Sequence, residues 1–301
     1  MRTIATLGAA GWLLASAGPA FACSECMCGA PFPASVLGGL QPAAFSYGVE
    51  DRYLSKASAL DEGPGQEQER EHRVAAFAIW RPAERLALLA RVPYDVKEIA
   101  SHPVGAAATL DRAHGLGDAE LLALIGLAHT TGARPWVLGG VAGVTAPTGS
   151  NELRGGTGER LDAHLQPGAG AWSGTAGLHV ALTARPGVWD ASVLGRANGT
   201  SAHGYRYGSA LLYNAGFTSR AWQGVQALAQ INGRSAARDH LDGGGTGINT
   251  GGTVLYASPG LRWSGVTGVA VDAALQIPVA QRLYGDQREH TTARLALSLD
   301  R

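Results

Sequence analysis

The chain has 301 residues, a formal net charge of +0, only 16% charged residues and 43 glycines. That balance removes any electrostatic case for nucleic acid as a partner. Beyond the N-terminal stretch, no run reaches the ~20 consecutive apolar residues of a helical membrane span.

Residues 1–22 read as an export signal. Arg2 supplies the positive end, Thr3 to Ser16 an apolar run, and Ala20-Phe21-Ala22 a small-x-small cleavage site. The mature chain is expected to begin at Cys23. A lipid anchor on Cys23 is the competing reading, ranked second because Ala20 stands where a lipobox usually has Leu. Residues 23–43 then form a cysteine-containing segment on the periplasmic side, and 44–301 a single further domain.

From Phe45 onward, short stretches alternate apolar with polar residues. The spacing predicts strands at 44–55, 72–81, 85–96, 117–129, 135–146, 172–185, 188–198, 205–217, 220–233, 252–263, 267–279 and 290–300. Tight turns are expected at Pro82-Ala83-Glu84, Thr131-Gly132-Ala133, Arg185-Pro186-Gly187, Thr218-Ser219 and Ser264-Gly265-Val266. Longer loops fall at 56–71, 97–116, 147–171, 199–204, 234–251 and 280–289. Strict alternation of short and long connections is the mark of a transmembrane antiparallel β-barrel of about 12 strands. In a closed barrel every backbone N–H and C=O finds a partner where lipid offers none. Short turns then lie in the periplasm and long loops outside the cell, with both termini on the periplasmic side.

The faces can be read from the clearest strands. Val269, Val271, Ala273, Leu275, Ile277 and Val279 share one face, with Gly268, Asp272 and Gln276 on the other. Leu295, Leu297 and Leu299 oppose Arg294, Ser298 and Asp300. Apolar outside and polar inside inverts the pattern of a soluble barrel. Strand 135–146 is apolar and glycine-rich on both faces. Asp51 falls between Val49 and Tyr53 on an outward face, which suggests a bulge or a shifted register. Trp80, Trp136, Trp189, Trp222 and Trp263 all fall beside tight turns, which places them in one ring at the periplasmic interface, where indole prefers to sit. Trp172 is expected at the outer rim.

Four short motifs carry a resemblance. They are Gly115-Leu116-Gly117-Asp118, Pro147-Thr148-Gly149, Leu165-Gln166-Pro167-Gly168-Ala169-Gly170-Ala171-Trp172 and Tyr256-Ala257-Ser258-Pro259-Gly260-Leu261. Over most of 44–300 the chain resembles the outer-membrane "transporter" barrels named for a phenol-degradation pathway, which are distantly akin to fatty-acid-transporter barrels. The resemblance implies an outer-membrane location and passage of small, often apolar or aromatic molecules. It brings no catalytic residue, and no nucleophile elbow or phosphate loop is present. An enzyme is therefore not expected.

Cys23-Ser24-Glu25-Cys26-Met27-Cys28-Gly29 gathers all three cysteines. Cys23, Cys26 and Cys28, with the Met27 thioether, can converge on Cu(I) or Zn(II). A disulfide with one thiol left over, and lipidation of Cys23, are the alternatives. His129, at the periplasmic end of its strand, could approach this head. The metal reading makes the protein a periplasm-facing metal handler with a metal or redox partner. It stands as the alternative to passage of a small solute. His72, His102, His114, His164, His203, His240 and His290 map to outer loops or strand tops without ligand spacing, as ordinary polar residues do.

Twelve charged or polar residues are expected to line the lumen: Glu50, Arg52, Arg91, Asp95, Asp118, Glu120, His179, Asp190, Arg196, Arg206, Asp272 and Arg294. Both signs occur in similar number. A charge-selective open pore would show an excess of one sign. Mixed charges in a narrow lumen pair instead, because an unpaired buried charge costs several kcal/mol. A partly occluded interior follows.

Overall fold

The computed structural model describes residues 43–60, 64–131, 134–156, 158–241 and 244–301. The expected export signal at 1–22 and the Cys23, Cys26, Met27 and Cys28 cluster lie outside them. Among the described residues fourteen strands are formed: β1 (Phe45–Ala59), β2 (Gly65–Ala83), β3 (Leu86–Pro103), β4 (Thr109–Leu116), β5 (Ala119–His129), β6 (Trp136–Ala146), β7 (Ser173–Ala184), β8 (Gly187–Asn198), β9 (Ala210–Ser219), β10 (Val225–Ala236), β11 (Gly252–Val266), β12 (Val269–Leu283), β13 (Gln287–Glu289) and β14 (Thr292–Asp300). Every pairing is antiparallel, and β1 pairs with β2 on one side and β14 on the other, so the sheet closes. β4 and β5 both pair with β3, as two pieces of one wall strand, and β13 and β14 both pair with β1. The wall is therefore a 12-stranded barrel.

Alternation sorts the side chains. Val49, Tyr53, Val74, Val92, Leu121, Leu178, Val193, Leu275, Ile277, Leu295 and Leu297 are exposed on the outside, whereas Glu50, Arg52, Asp95, Glu120 and Arg294 are buried inside. An exposed apolar band of this extent has no place in water and matches a hydrocarbon environment. Trp80, Trp136, Trp189, Trp222 and Trp263 are all exposed and all lie at the turn end that carries Phe45 and Asp300. Trp172 is exposed at the opposite end. No helix among the described residues is long and apolar enough to cross a membrane.

Several boundaries differ from expectation. Residues 56–59, 65–71, 97–103 and 109–116 are strand rather than loop: β1 and β2 pair up to Ala59↔Gln66, and β3 and β4 up to Ser101↔Thr109. In the β1–β2 hairpin polar residues occupy both faces, so the apolar half of the alternation is lost from the sequence. In β3 and β4, by contrast, Ile99 and Ala113 pack on Leu161 and Leu165 of the long loop, a contact that no local pattern marks. Residues 205–209 are loop rather than strand. The turn expected at Ser264-Gly265-Val266 lies one step on, where Gly268 takes φ +77°, and Thr218 and Ser219 end β9 while Gly224 (φ +78°) turns the chain. Such positive φ values strain any residue with a Cβ.

Asp51 needs no bulge. The register runs unbroken through Asp51↔Leu295 and Asp51↔Val74. The carboxylate faces outward, and its Oδ1 lies 2.5 Å from His72 Nε2 on the neighbouring strand. An acid on the lipid-facing side is balanced by an outward imidazole that the sequence reading places at the very start of its second strand.

Candidate functional site

The inner wall carries a belt of paired charges around β14, β1, β2, β3 and β5. Arg294, Arg52 and Arg73 sit directly opposite one another across three strands. Like charges so placed repel, and carboxylates above and below answer them. Arg294 Nε meets Glu50 at 3.1 Å, Arg52 meets Glu71 at 3.1 Å, and Arg73 forks onto Asp95 at 2.5 and 2.8 Å. Arg91 meets Glu120 at 2.6 Å, and Arg196 lies 3.9 Å from the same carboxylate while its Nε donates to Asn198. Nearer the turn end, on β11 and β12 beside β14, Arg262 pairs with Asp272 at 3.2 Å.

Of the twelve candidate lining residues, Glu50, Arg52, Asp95, Glu120, His179, Asp190, Arg196, Asp272 and Arg294 are buried, and Arg91 and Asp118 are partly buried. Arg206 is the correction. It is exposed in the loop before β9, bridged to His240, because the strand begins only at Ala210. Glu71, Arg73, Lys97, Arg234, Arg262 and Glu289 belong to the same networks and were not among the candidates. Glu71, Lys97, Arg234 and Glu289 fell in stretches read as loops. The signal that could have found Glu69, Glu71 and Arg73 is their period-two continuation of the inward face.

A second feature of the lumen is apolar. Ile79 on β2, Leu89 on β3, Leu122 on β5, Val141 on β6, Leu194 on β8, Leu212 on β9, Ala236 on β10, and Val254 and Tyr256 on β11 are all buried in one contiguous cluster. Residues this buried on a lipid-exposed wall point inward. The expectation of a polar interior therefore holds for part of the wall only. Ile79 and Leu89 lie toward the periplasmic ends of β2 and β3, Val141 at the middle of β6, Leu122, Leu194 and Leu212 above the middle of β5, β8 and β9, and Ala236, Val254 and Tyr256 near the outer ends. The stripe climbs diagonally through the barrel, beside the charged belt. His179 sits in the lower polar half, opposite Gly139, with neither ring nitrogen hydrogen-bonded among the described residues. Asp190 accepts from Asn214 Nδ2 at 2.8 Å.

The wall is interrupted between β4 and β5, and three of the four glycine motifs meet there. The Asp118 carboxylate receives the backbone N–H groups of Gly149 and Ala169, each at 2.8 Å. Gly117 N donates to Pro93 O, Ser150 N to Leu116 O, and Gly168 N to Ser150 O, each at 2.9 Å. A Cβ on Gly149 would lie 2.7 Å from the Gly117 backbone and 2.8 Å from Gly168 Cα. Only glycine permits this backbone-on-backbone contact. The loop from 147 to 171 is thereby clasped to the gap in place of strand pairing.

The same loop folds into the outer mouth. Lys97 Nζ donates to the carbonyls of His164 and Gln166, each at 2.9 Å, and Tyr207 OH donates to Ala163 O at 2.7 Å. His164 Nε2 lies 3.0 Å from Tyr205 OH and 3.3 Å from Asp239 Oδ2, and Tyr205 OH donates to the same oxygen at 2.5 Å. Burial alone would raise the Asp239 carboxyl, but the hydrogen bonds from His164, Tyr205 and the Gly208 amide outweigh it and hold it below its ordinary value. Two small cavities flank the loop. One of about 60 Å³ lies among Arg52, Arg73, Arg91, Glu120, Arg196 and Pro167, and one of about 40 Å³ among Lys56, Glu69, His164, Tyr207, Arg234 and Glu289. Neither is an open aqueous pore.

Among the described residues, no three His, Cys, Asp or Glu side chains are placed to hold a metal ion.

A closed 12-stranded wall with an apolar outer band and an aromatic ring at one end defines an outer-membrane β-barrel. No protein-family model and no curated protein matches the sequence. Among solved structures, the chain is similar to the COG4313 outer membrane channel from Pseudomonas putida F1. The TM-score is 0.64 at 13% identity, covering 85% of this chain and 95% of that one. At that identity the likeness is one of fold. Weaker likenesses are to the transport unit of the autotransporter AIDA-I from Escherichia coli (TM-score 0.47, 8% identity, 86% and 90% covered) and to the P. putida toluene transporter TodX (TM-score 0.44, 8% identity, 87% and 91% covered).

Proposed function

We propose that this barrel mediates passage of small apolar molecules across the outer membrane. The observation that carries the reading is the buried apolar stripe from Ile79 and Leu89 through Leu122, Leu194 and Leu212 to Val254 and Tyr256. A general porin needs a wet lumen, polar all round. A stripe that runs from the periplasmic end to the outer end offers an apolar solute continuous contact, each buried CH₂ contributing ~0.8 kcal/mol. The charged belt beside it is paired, so it shows no net sign with which to select ions. The fold shared with an outer membrane channel is consistent with this.

The test is flux into proteoliposomes that contain an encapsulated reporter for a neutral aromatic such as toluene, with a sugar of similar size as comparison. The protein should accelerate aromatic entry and leave sugar entry nearly unchanged. Leu122→Asp and Leu212→Asp, which place a charge in the stripe, should each lower aromatic entry several-fold while the barrel still shows heat-modifiable migration. Aromatic entry equal with and without the protein would exclude the function.

A further inference from the structure

We propose that the outer wall around β12, β13, β1 and β2 binds the phosphorylated headgroup of an outer-leaflet lipid. Three arginines on adjacent strands face outward there: Arg282 on β12, Arg288 on β13 and Arg70 on β2. All three are exposed. Arg282 lies thirteen residues from Val269, Arg70 thirteen from Ala83 and Arg288 twelve from Asp300, each counted from the periplasmic end. At roughly 2.5 Å of height per tilted residue, all stand ~30 Å above the periplasmic turns, where hydrocarbon gives way to headgroups.

The strands hold the three together. Gln281 and Glu289 exchange two hydrogen bonds of 2.9 Å, which sets Arg282 beside Arg288. Arg288 lies opposite Ala57, and Ala57 lies opposite Gln68, to which Arg70 donates at 3.0 Å. Between the guanidiniums the β1 surface is small, formed by Ser55 and Ala57. That leaves a shallow place framed by cations.

Beneath it the same outward face carries the mutually paired Asp51 and His72 and otherwise hydrocarbon-compatible side chains: Ile277 and Val279, Leu295 and Leu297, and Val74, all exposed. The column is thus amphipathic in the order of a lipid, tails below and anion above. Nearby on the same face Glu98 is the carboxylate opposite Arg70, and Arg112 holds it at 2.8 Å. The arc therefore keeps a positive excess. Guanidinium forks match phosphate oxygens in pairs, and a basic residue at a membrane surface contributes about 1 kcal/mol toward an anionic headgroup.

The inference depends on the outer-membrane fold and not on what crosses the lumen. It is tested on full-length protein in detergent micelles by native mass spectrometry with diphosphoryl lipid A, its phosphate-free counterpart and inorganic phosphate as probes. The phosphorylated lipid should be retained at least about tenfold better than the phosphate-free lipid, with the preference falling as salt rises. Arg70→Gln, Arg282→Gln and Arg288→Gln combined should abolish the preference. If the triple variant fails to fold, Arg70→Gln and Arg288→Gln singly should each weaken retention about fivefold. Equal retention of the two lipids, or an unchanged preference in variants that fold, overturns the proposal. So does competition by inorganic phosphate as strong as that of the lipid, which would mark a site for a free anion.

Discussion

His164 Nε2 lies 3.3 Å from Asp239 Oδ2, so the loop that follows β6 is tied to the loop that follows β10 across the outer mouth. Asp239 is held below its ordinary value by these partners, despite its burial. A carboxylate depressed in the folded state contributes stability that is present above the unfolded value, about 4, and lost as pH falls through the folded one. The tie should therefore hold at neutral and mildly acid pH and release only below about pH 4. Limited proteolysis of 147–171 against pH reads this directly, and Asp239→Asn should show the released pattern already at pH 7. Release of the wild type with a midpoint above pH 5 would contradict the assignment.

Glu67 shows the opposite sign. Burial, then Glu69 and Asp162, push its carboxyl above the ordinary value. Its charge at neutral pH therefore opposes the closed mouth, and the opposition fades as pH falls toward the raised value. Glu67→Gln should raise the thermal midpoint of the outer loops slightly at pH 7 and not at pH 4. A lower midpoint at pH 7 would refute it.

Asp118→Ala removes the acceptor for two backbone N–H groups, those of Gly149 and Ala169. Hydrogen bonds to a charged acceptor contribute roughly 1.5–3 kcal/mol each, and the amides left behind are costly. The clasp should loosen, with faster hydrogen exchange over 147–171 and a lower unfolding temperature. Asp118→Asn, which keeps one acceptor oxygen, should fall between. Exchange unchanged in both variants would show that the loop is held elsewhere.

Gly168→Ala tests the same clasp by sterics. Its Cβ would sit 2.6–2.7 Å from the backbone of Gly149, a distance real Cβ atoms essentially never show. Gly156→Ala, with nothing within 4 Å of the added carbon, is the matched control in the same loop. Only the first should expose 147–171 to protease.

On the lipid-facing wall, Asp51 and His72 should be worth more as a pair than apart. His72→Leu strands an outward carboxylate at the edge of the hydrocarbon, whereas the double replacement Asp51→Leu, His72→Leu removes both polar groups. Refolding into vesicles against urea should find the single variant less stable than the double. The reverse order would mean that the two groups do not interact.

Much of the barrel was legible because lipid imposes a hard rule on each strand that crosses it. Leu295, Leu297 and Leu299, or Val269 to Val279, could not face water, and the tryptophans marked one end. The outer hairpins were not legible. In Glu67 to Arg73 both faces carry polar residues, so the pattern of a strand and of a solvated loop look the same. The site divided similarly. Glu50, Asp95 and Glu120 could be assigned inward by parity. The apolar stripe could not, because a leucine on an inward position mimics a lipid-facing one unless its register is known. The glycine motifs stood out singly at 115–118, 147–149 and 165–172. That Gly117, Gly149 and Gly168 touch depends on how a long loop folds back, which no local pattern encodes.

The diagonal stripe also bears on electrical behaviour. Along the wall formed by Leu89, Leu122 and Val141, a file of water gains few hydrogen bonds and is held weakly. An ion arriving from the paired arginines would have to shed its hydration there, while a hydrocarbon has none to shed. Conductance in planar bilayers and delivery of an oily cargo are thus separate properties of this barrel, and a current trace close to silent says nothing against the second.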